Sequence, residues 1–316
     1  MITVLSGGTG GAKFVDGLHR VMPPQELTII VNTGDDFEWW GMHISPDLDS
    51  ITYVLSDLLS KDRGWGVEGD TFQCLEAMRR LGQPAWFQIG DKDLATHLLR
   101  TQLLQSGKTL STATLEITRE LRIEAAVLPM SDSRVETRVT TPEGEISFQD
   151  YFVKRRYQDR VISVRFVGAE EAKPASGVIE AILKADTVLF APSNPITSIG
   201  PILAVPGIRD ALKQTEARVA AISPIVGDAP VSGPAGALMA AQGLPVSIGG
   251  VAQAYEDLLD VLIVDAQDEV SAGSLRRSGL EVHCMNTIMK TLDDRDELAR
   301  AVLSLVAEAS TSQIVP

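Results

Sequence analysis

The chain has 316 residues, enough for one large α/β domain or two smaller ones, and with 44% hydrophobic and 22% charged residues it reads as a packed globular protein, not a disordered one. Its 42 acidic against 28 basic residues give a net charge of -14, so no overall field draws in nucleic acid, and any bound anion must be met locally by amides, a helix N-terminus or a cation. Two cysteines, Cys74 and Cys284, are too few for a disulfide scaffold or a thiolate zinc site and fit a reducing, cytoplasmic compartment.

Residues 2–5 read as an apolar strand that opens the chain without a secretory leader. A glycine loop follows, then an amphipathic helix to about residue 22, a Pro23-Pro24 break and a second strand over residues 27–32, which together make a βαβ opening. Residues 51–121 are mostly helical in pattern, and residues 134–153 read as a hairpin turning at Pro142-Glu143-Gly144. The βα rhythm then returns. Strands over residues 187–190, 218–222 and 261–264, a helix-to-strand stretch ending at Cys284 and a closing helix over residues 293–309 complete it. Strands alternating with helices predict a doubly wound, Rossmann-like parallel sheet, with ligands beyond the carboxyl ends of the strands. We read residues 1–316 as one α/β domain carrying an inserted, mainly helical subdomain plus hairpin over about residues 51–160, placed to cover substrate. Two long uncharged stretches, residues 187–208 and 229–255, are broken by prolines and glycines and read as interior segments, so no membrane partner is expected.

The first motif with chemistry is Gly7-Gly8-Thr9-Gly10-Gly11-Ala12-Lys13, between a strand and a helix. Glycines there let backbone approach an anion while the helix N-terminus supplies amides. Ala12 and Phe14 exclude a Walker A loop, and Lys13 stands where a dinucleotide fingerprint needs glycine. The second strand ends in Asn32-Thr33-Gly34-Asp35-Asp36, followed by Ser45-Pro46-Asp47-Leu48-Asp49-Ser50. Acids at a strand's carboxyl end suit Mg²⁺, with a diphosphate completing its shell; the competing reading makes Asp35 and Asp36 a turn and Asp49 a helix cap. Lys92, His97 and Arg100 are spaced along one helix face after Trp86-Phe87-Gln88, where they either meet an anionic substrate arm or form a solvated face. Ala191-Pro192-Ser193-Asn194-Pro195, Ser198 and Ser223-Pro224-Ile225-Val226-Gly227 close two further strand ends. With the glycine loop they make three strand-end loops that can share one ligand crevice.

These motifs, with Asp62-Arg63-Gly64-Trp65-Gly66, Gly90-Asp91-Lys92-Asp93-Leu94-Ala95-Thr96-His97, Leu128-Pro129-Met130-Ser131-Asp132 and Phe148-Gln149-Asp150-Tyr151, occur in an order that resembles the 2-phospho-L-lactate transferase family of coenzyme F-420 biosynthesis. The resemblance implies a Mg²⁺-dependent homodimer that joins a lactyl- or enolpyruvyl-type diphosphoguanosine to the deazaflavin FO and releases GMP. It implies Asp35 and Asp49 as catalytic, metal-binding residues, with Asp49 also at the deazaflavin. It further implies Gln88, Trp65 and Trp86 on the deazaflavin side, where the family often has lysine at the Gln88 position. The diphosphoguanosine side falls to Gly7, Gly8, Thr9, Gly10, Gly11, Lys13, Ser193, Asn194, Pro195, Ser198 and Ser223. At Gly227-Asp228 the chain lacks the basic residue that relatives tend to carry. Two other readings compete: a nucleotide-sugar-binding regulator of a related gluconeogenesis-linked family, and an NAD-dependent oxidoreductase read from the loop and Asp35 alone.

Overall fold

In the computed structural model, which describes residues 1–312, β1 (Ile2–Ser6) runs into α1 (Gly8–Val21) after one residue. β2 (Leu27–Val31) then lies parallel to β1 in the register Ile2↔Leu27 to Ser6↔Val31. A short hairpin, β3 (Phe37–Trp39) and β4 (Met42–Ile44), leads to α2 (Pro46–Leu55), whose first-turn proline needs no amide partner. Next come α3 (Gln73–Arg80), α4 (Asp93–Gln105), α5 (Leu110–Glu120) and β5 (Ala126–Pro129). An antiparallel sheet of β6 (Glu136–Thr141), β7 (Gly144–Ser147) and β8 (Ser163–Val167) follows, in the order β7-β6-β8, with the expected turn closing at Thr141↔Gly144.

The second half holds α6 (Val178–Leu183), β9 (Thr187–Phe190), α7 (Gly200–Ala204), α8 (Ile208–Gln214) and β10 (Arg218–Ile222). It continues with the small ribbon β11 (Ile225–Val226) and β12 (Ala229–Pro230), then α9 (Ala235–Ala241), α10 (Ile248–Ala254), β13 (Val261–Asp265), α11 (Glu269–Arg277), β14 (Glu281–Met285) and α12 (Leu292–Ser312). The main sheet has seven strands in the order β14-β13-β10-β9-β1-β2-β5, all parallel. This is the doubly wound, Rossmann-like fold expected. The chain moves outward from β1 through β2 to β5, then returns to β9 beside β1 and moves outward the other way. The crevice above the β1–β9 boundary is therefore the switch point where such sheets bind ligands.

Side chains alternate across the sheet as strand geometry requires. Val4, Ile29, Leu189 and Ile263 pack under α1 and α12 with Phe14, Leu18, Leu298 and Val302, whereas Leu5, Ile30, Phe190 and Leu262 pack on the opposite face with Ile182, Ile208 and Val251. One expectation is corrected. β5 pairs with β2 as an edge of the main sheet, so residues 51–160 are not one continuous insertion. The elements outside the main sheet come in two pieces, β3 to α5 before that strand and β6 to β8 after it.

Candidate active site

The two strand-end loops at the switch point grip each other. The Gly7 amide donates to Ser193 Oγ at 3.3 Å, and that hydroxyl donates back to the Gly7 carbonyl at 2.7 Å. Gly10 passes so close to the Pro192 carbonyl that a Cβ there would overlap its oxygen, and Gly8 sits at φ +66°, a conformation that favours glycine. The glycines therefore serve close approach of backbone to backbone as well as to a ligand. Asn194 caps the following turn, its Oδ1 accepting from the Ile196 amide at 3.0 Å, which fixes Pro195 and Ser198 on that turn.

Asn32, at the end of β2, is fully buried and organises the acids. Its Nδ2 donates to Asp47 Oδ2 at 2.9 Å, to Asp35 Oδ2 at 3.2 Å and to the Thr197 carbonyl at 3.2 Å, while its Oδ1 accepts from the Gly34 amide at 2.8 Å. Asp47 Oδ1 accepts from the Gly8 amide at 2.8 Å, placing a carboxylate at the N-terminus of α1. Burial holds the Asp35 carboxyl well above the usual carboxylate range, and the neighbouring Asp47 charge adds to it. Burial likewise pushes Asp47 up to about 6, against the pull of Asn32 and the Gly8 amide. Thr137 stands close enough to Asp35 to work the other way, yet neither Asp35 Oδ1 nor Thr137 Oγ1 has an aligned hydrogen bond. Two buried carboxylates that repel each other, one with an unpartnered oxygen, fit a divalent cation. Among the described residues no three acidic, imidazole or thiol groups converge as a full metal cage, so ligand oxygens would have to complete the shell.

The other two acids are held elsewhere. Asp36 Oδ2 accepts from Ser45 Oγ at 2.7 Å and lies 3.0 Å from His43 Nε2, and the Asp36 amide donates to the Thr33 carbonyl at 3.3 Å in a turn. Asp49 gives both oxygens to Arg100, with Nη1 to Oδ2 at 3.2 Å and Nη2 to Oδ1, and His97 Nδ1 lies 3.5 Å from the same carboxylate. His97 Nε2 faces Asp93 at 3.3 Å, and Tyr53 donates to Asp93 at 2.6 Å. His97 and Arg100 are therefore not a solvated face, and neither lines the crevice over the switch point. They are buried behind the crevice, while Leu98 and Leu99 of the same helix are exposed at 54% and 39%. Lys92 is exposed and donates to the Glu68 carbonyl at 2.8 Å.

A crevice of about 730 Å³ opens over the switch point, within the size range of small-molecule sites. Gly7, Gly8, Thr9, Gly10, Lys13, Ser193, Asn194, Ser198 and Ser223 line it, as do Asp35, Asp47, Trp65, Trp86 and Gln88. Gly11, Pro195 and Asp49 are not on its lining; Gly11 is buried against Ser6 and Ser193. Aromatic rings build the rest of the wall: Trp86 meets Trp39 edge-on at 4.7 Å, and Phe148 stacks on Phe152 at 5.5 Å. Sequence reasoning assigned no role to Arg63, Gln149, Phe152, Arg156 or residues 231–235, which also line the crevice. Gln149 ties its wall to the acids by donating to the Asp35 carbonyl at 3.3 Å. A shallower hollow of about 530 Å³ beside α6, lined by Pro174, Ile179 and Leu183, holds none of the expected residues.

Residues 2–306 match the family model described as 2-phospho-L-lactate transferase CofD. The chain belongs to the 2-phospho-L-lactate transferase family. It is 44% identical over 302 residues to the 2-phospho-L-lactate transferase of Methanosarcina acetivorans, covering 96% of this chain and 98% of that one. It is 43% identical over 313 residues to the phosphoenolpyruvate transferase of Streptomyces griseus subsp. griseus, covering 97% and 98%. A crystal structure of a upf0052 family member from Bacillus halodurans matches with a TM-score of 0.66 at 20% identity, over 96% and 98% of the two chains, a likeness of fold. The chain is thus a transferase of phosphorus-containing groups on a Rossmann-like fold, which sets aside the regulator and oxidoreductase readings. No helix among the described residues is long and apolar enough to cross a membrane.

Proposed function

We propose that this transferase moves a phospho-lactyl or phosphoenolpyruvyl group from a diphosphoguanosine donor to the ribityl hydroxyl of the deazaflavin FO, giving F-420-0 or its dehydro form and GMP, as a step of coenzyme F-420 biosynthesis. One observation carries the reading: a single crevice joins a glycine loop and strand-end hydroxyls suited to a diphosphate with an aromatic wall suited to a flat ring system, and includes two buried carboxylates. The names of the transferase relatives support it.

Gly7, Gly8, Thr9, Gly10 and Lys13 would receive the diphosphoguanosine together with Ser193, Asn194, Ser198 and Ser223, while Trp65, Trp86, Phe148 and Phe152 cover the deazaflavin and Gln88 offers it an amide. Gly11 and Pro195 would shape those loops from behind. In this reading Asp35 and Asp47 hold Mg²⁺; Asp49, which the family resemblance pairs with Asp35, stands a layer back on Arg100 and fixes the first turn of α2. A bound Mg²⁺ would supply charge neutralisation across the diphosphate. The ribityl oxygen forms its bond to the phosphorus that bears the acid arm as the phosphorus–oxygen bridge to GMP breaks. The hydroxyl proton goes to a crevice carboxylate, and GMP leaves with the bridging oxygen. The chain's main work is to hold the two substrates in line, which supplies a large part of the rate in phosphoryl transfer.

Incubation with FO, donor and Mg²⁺ is expected to release GMP only when FO is present. Nucleotide binding without GMP release would overturn the reading. The same family reading makes the protein a cytoplasmic homodimer, and sedimentation velocity tests the dimer.

A further inference from the structure

Lys154, Arg155 and Arg156 follow one another at the end of the π-helical turn Asp150–Lys154, in the part of the covering layer that borders the crevice. Two of the three are satisfied by their surroundings. Lys154 Nζ donates to Asp150 at 3.1 Å and lies 5.6 Å from the centre of the Trp86 ring. Arg155 Nη1 donates to Glu143 at 2.9 Å and to Asp159 at 3.3 Å. Arg156 lines the crevice and makes no ion pair or side-chain hydrogen bond among the described residues.

Its backbone sets it apart as well. Arg156 has φ +53° and Tyr157 φ +46°, two successive non-glycine residues in the left-handed region, where Cβ crowds the neighbouring carbonyl. Such conformers persist where the surroundings over-determine them, and they gather at functional sites. Here the Tyr157 amide donates to the Tyr151 carbonyl at 2.8 Å, and the Tyr157 ring stacks on Phe152 at 5.7 Å. The fold accepts strain on both residues and presents an unpaired guanidinium beside the crevice.

The other cations of the lining differ. Arg63 packs its guanidinium against Trp65 and Phe72, at 5.3 Å and 5.1 Å from the ring centres, and donates Nη2 to the Val67 carbonyl at 2.8 Å. Lys13 points its Nζ to the Met289 carbonyl at 3.5 Å. Arg63 Nε is buried without a partner, but the guanidinium is held between two rings and a carbonyl, and Lys13 has no planar fork.

Resting on the transferase reading above, we propose that Arg156 is the specificity residue for the donor's acid arm and receives its carboxylate through two parallel N–H···O bonds. The donor brings two kinds of anion into an acidic crevice. Its diphosphate has the glycine loop, the α1 N-terminus and a cation on Asp35 and Asp47. The carboxylate has none of these, and the two buried aspartates repel it. A guanidinium matches a carboxylate in shape and charge and stays protonated at any working pH.

Isothermal titration in Mg²⁺ tests this with two probes: GDP, which carries the diphosphate without an acid arm, and the enolpyruvyl-diphosphoguanosine donor. In Arg156→Gln and Arg156→Gly we expect GDP affinity to hold within about two-fold while donor affinity falls about 10- to 100-fold, the range for a charge-assisted pair. Arg156→Lys should fall between, since it keeps the charge and loses the fork. Arg156→Gly should also raise the melting temperature, because glycine adopts a positive φ without strain, so its loss of donor binding cannot be ascribed to misfolding. An equal loss for GDP and donor would put Arg156 on the phosphates, and an unchanged donor affinity would make it a solvated side chain; either result overturns the proposal. If the wild-type protein binds the donor no better than GDP and forms no product with FO, the transferase reading has failed first and the assignment falls with it.

Discussion

Arg100 closes on Asp49 with both terminal nitrogens in the interior, behind the wall that Asp35 and Asp47 present to the crevice. Arg100 is 1% exposed and Asp49 5% exposed, so neither charge can fall back on water. Breaking such a pair from one side leaves an uncompensated buried charge. Arg100→Met should therefore lower stability by about 3–5 kcal/mol. Adding Asp49→Asn to it should restore much of that loss. Urea midpoints of the two variants check both statements, and a double variant no more stable than the single one would count against the pair as the source.

Asp35 and Asp47 give the protein a pH signature when a chelator keeps metal away. Both carboxyls sit above their unfolded value, Asp47 at about 6, so the native chain binds more protons than the unfolded one. Their stabilising contribution is complete below the ordinary carboxylate range and is lost as pH rises through about 6. In EDTA the melting temperature should fall as pH rises from about 4 to about 6, and Asp47→Asn should lessen that fall. Mg²⁺ should stabilise the wild type and Asp49→Asn at pH 8 but not Asp35→Asn or Asp47→Asn. Stabilisation lost in Asp49→Asn and kept in Asp47→Asn would return the cation to the pair that the family resemblance implies.

Gly10→Ala would place a methyl group against the Pro192 carbonyl and part the β1 and β9 loops. Overpacking of this kind costs about 1–3 kcal/mol. GDP affinity should fall more than FO affinity, since the proposed reaction puts the displaced atoms on the nucleotide side. Parallel titrations with GDP and FO read the difference.

Much of this was legible from the sequence. The short apolar runs at residues 2–5, 187–190 and 218–222, each followed closely by proline or serine, announce strands, and the structure gathers the loops at their ends around one crevice at the switch point. β5 was not legible, because four residues after a helix look like a loop until β2 pairs with them. Nor was the division of the four aspartates. Asp36 is claimed by His43 and Ser45 and Asp49 by Arg100, partners whose approach depends on how β4 and α4 pack. The usual rule that charged helix residues face water fails in α4, where His97 and Arg100 are buried and Leu98 is exposed, because Asp49 makes the interior acidic at that point.

Trp86→Ala should separate the two substrates from the other direction. The ring meets Trp39 and Phe87 and carries Lys154 over its face, so its removal opens the aromatic wall. Stacking of an aromatic side chain on a flat base is worth about 1–3 kcal/mol, so FO affinity should drop roughly 5- to 150-fold. GDP affinity should stay within about two-fold. FO fluorescence titration measures the first and competition with a labelled nucleotide the second.

In the proposed reaction this crevice couples cleavage of the donor to transfer of its phospho-acid group onto the deazaflavin. Mass spectrometry of a reaction containing FO, lactyl- and enolpyruvyl-diphosphoguanosine in competition and Mg²⁺ tests it most directly. GMP and an F-420-0-type product are expected in equal amounts, both absent with Asp35→Asn, and the product's mass identifies the acid arm. GMP formed without the deazaflavin product, or product formed equally well by Asp35→Asn, would contradict the proposed coupling.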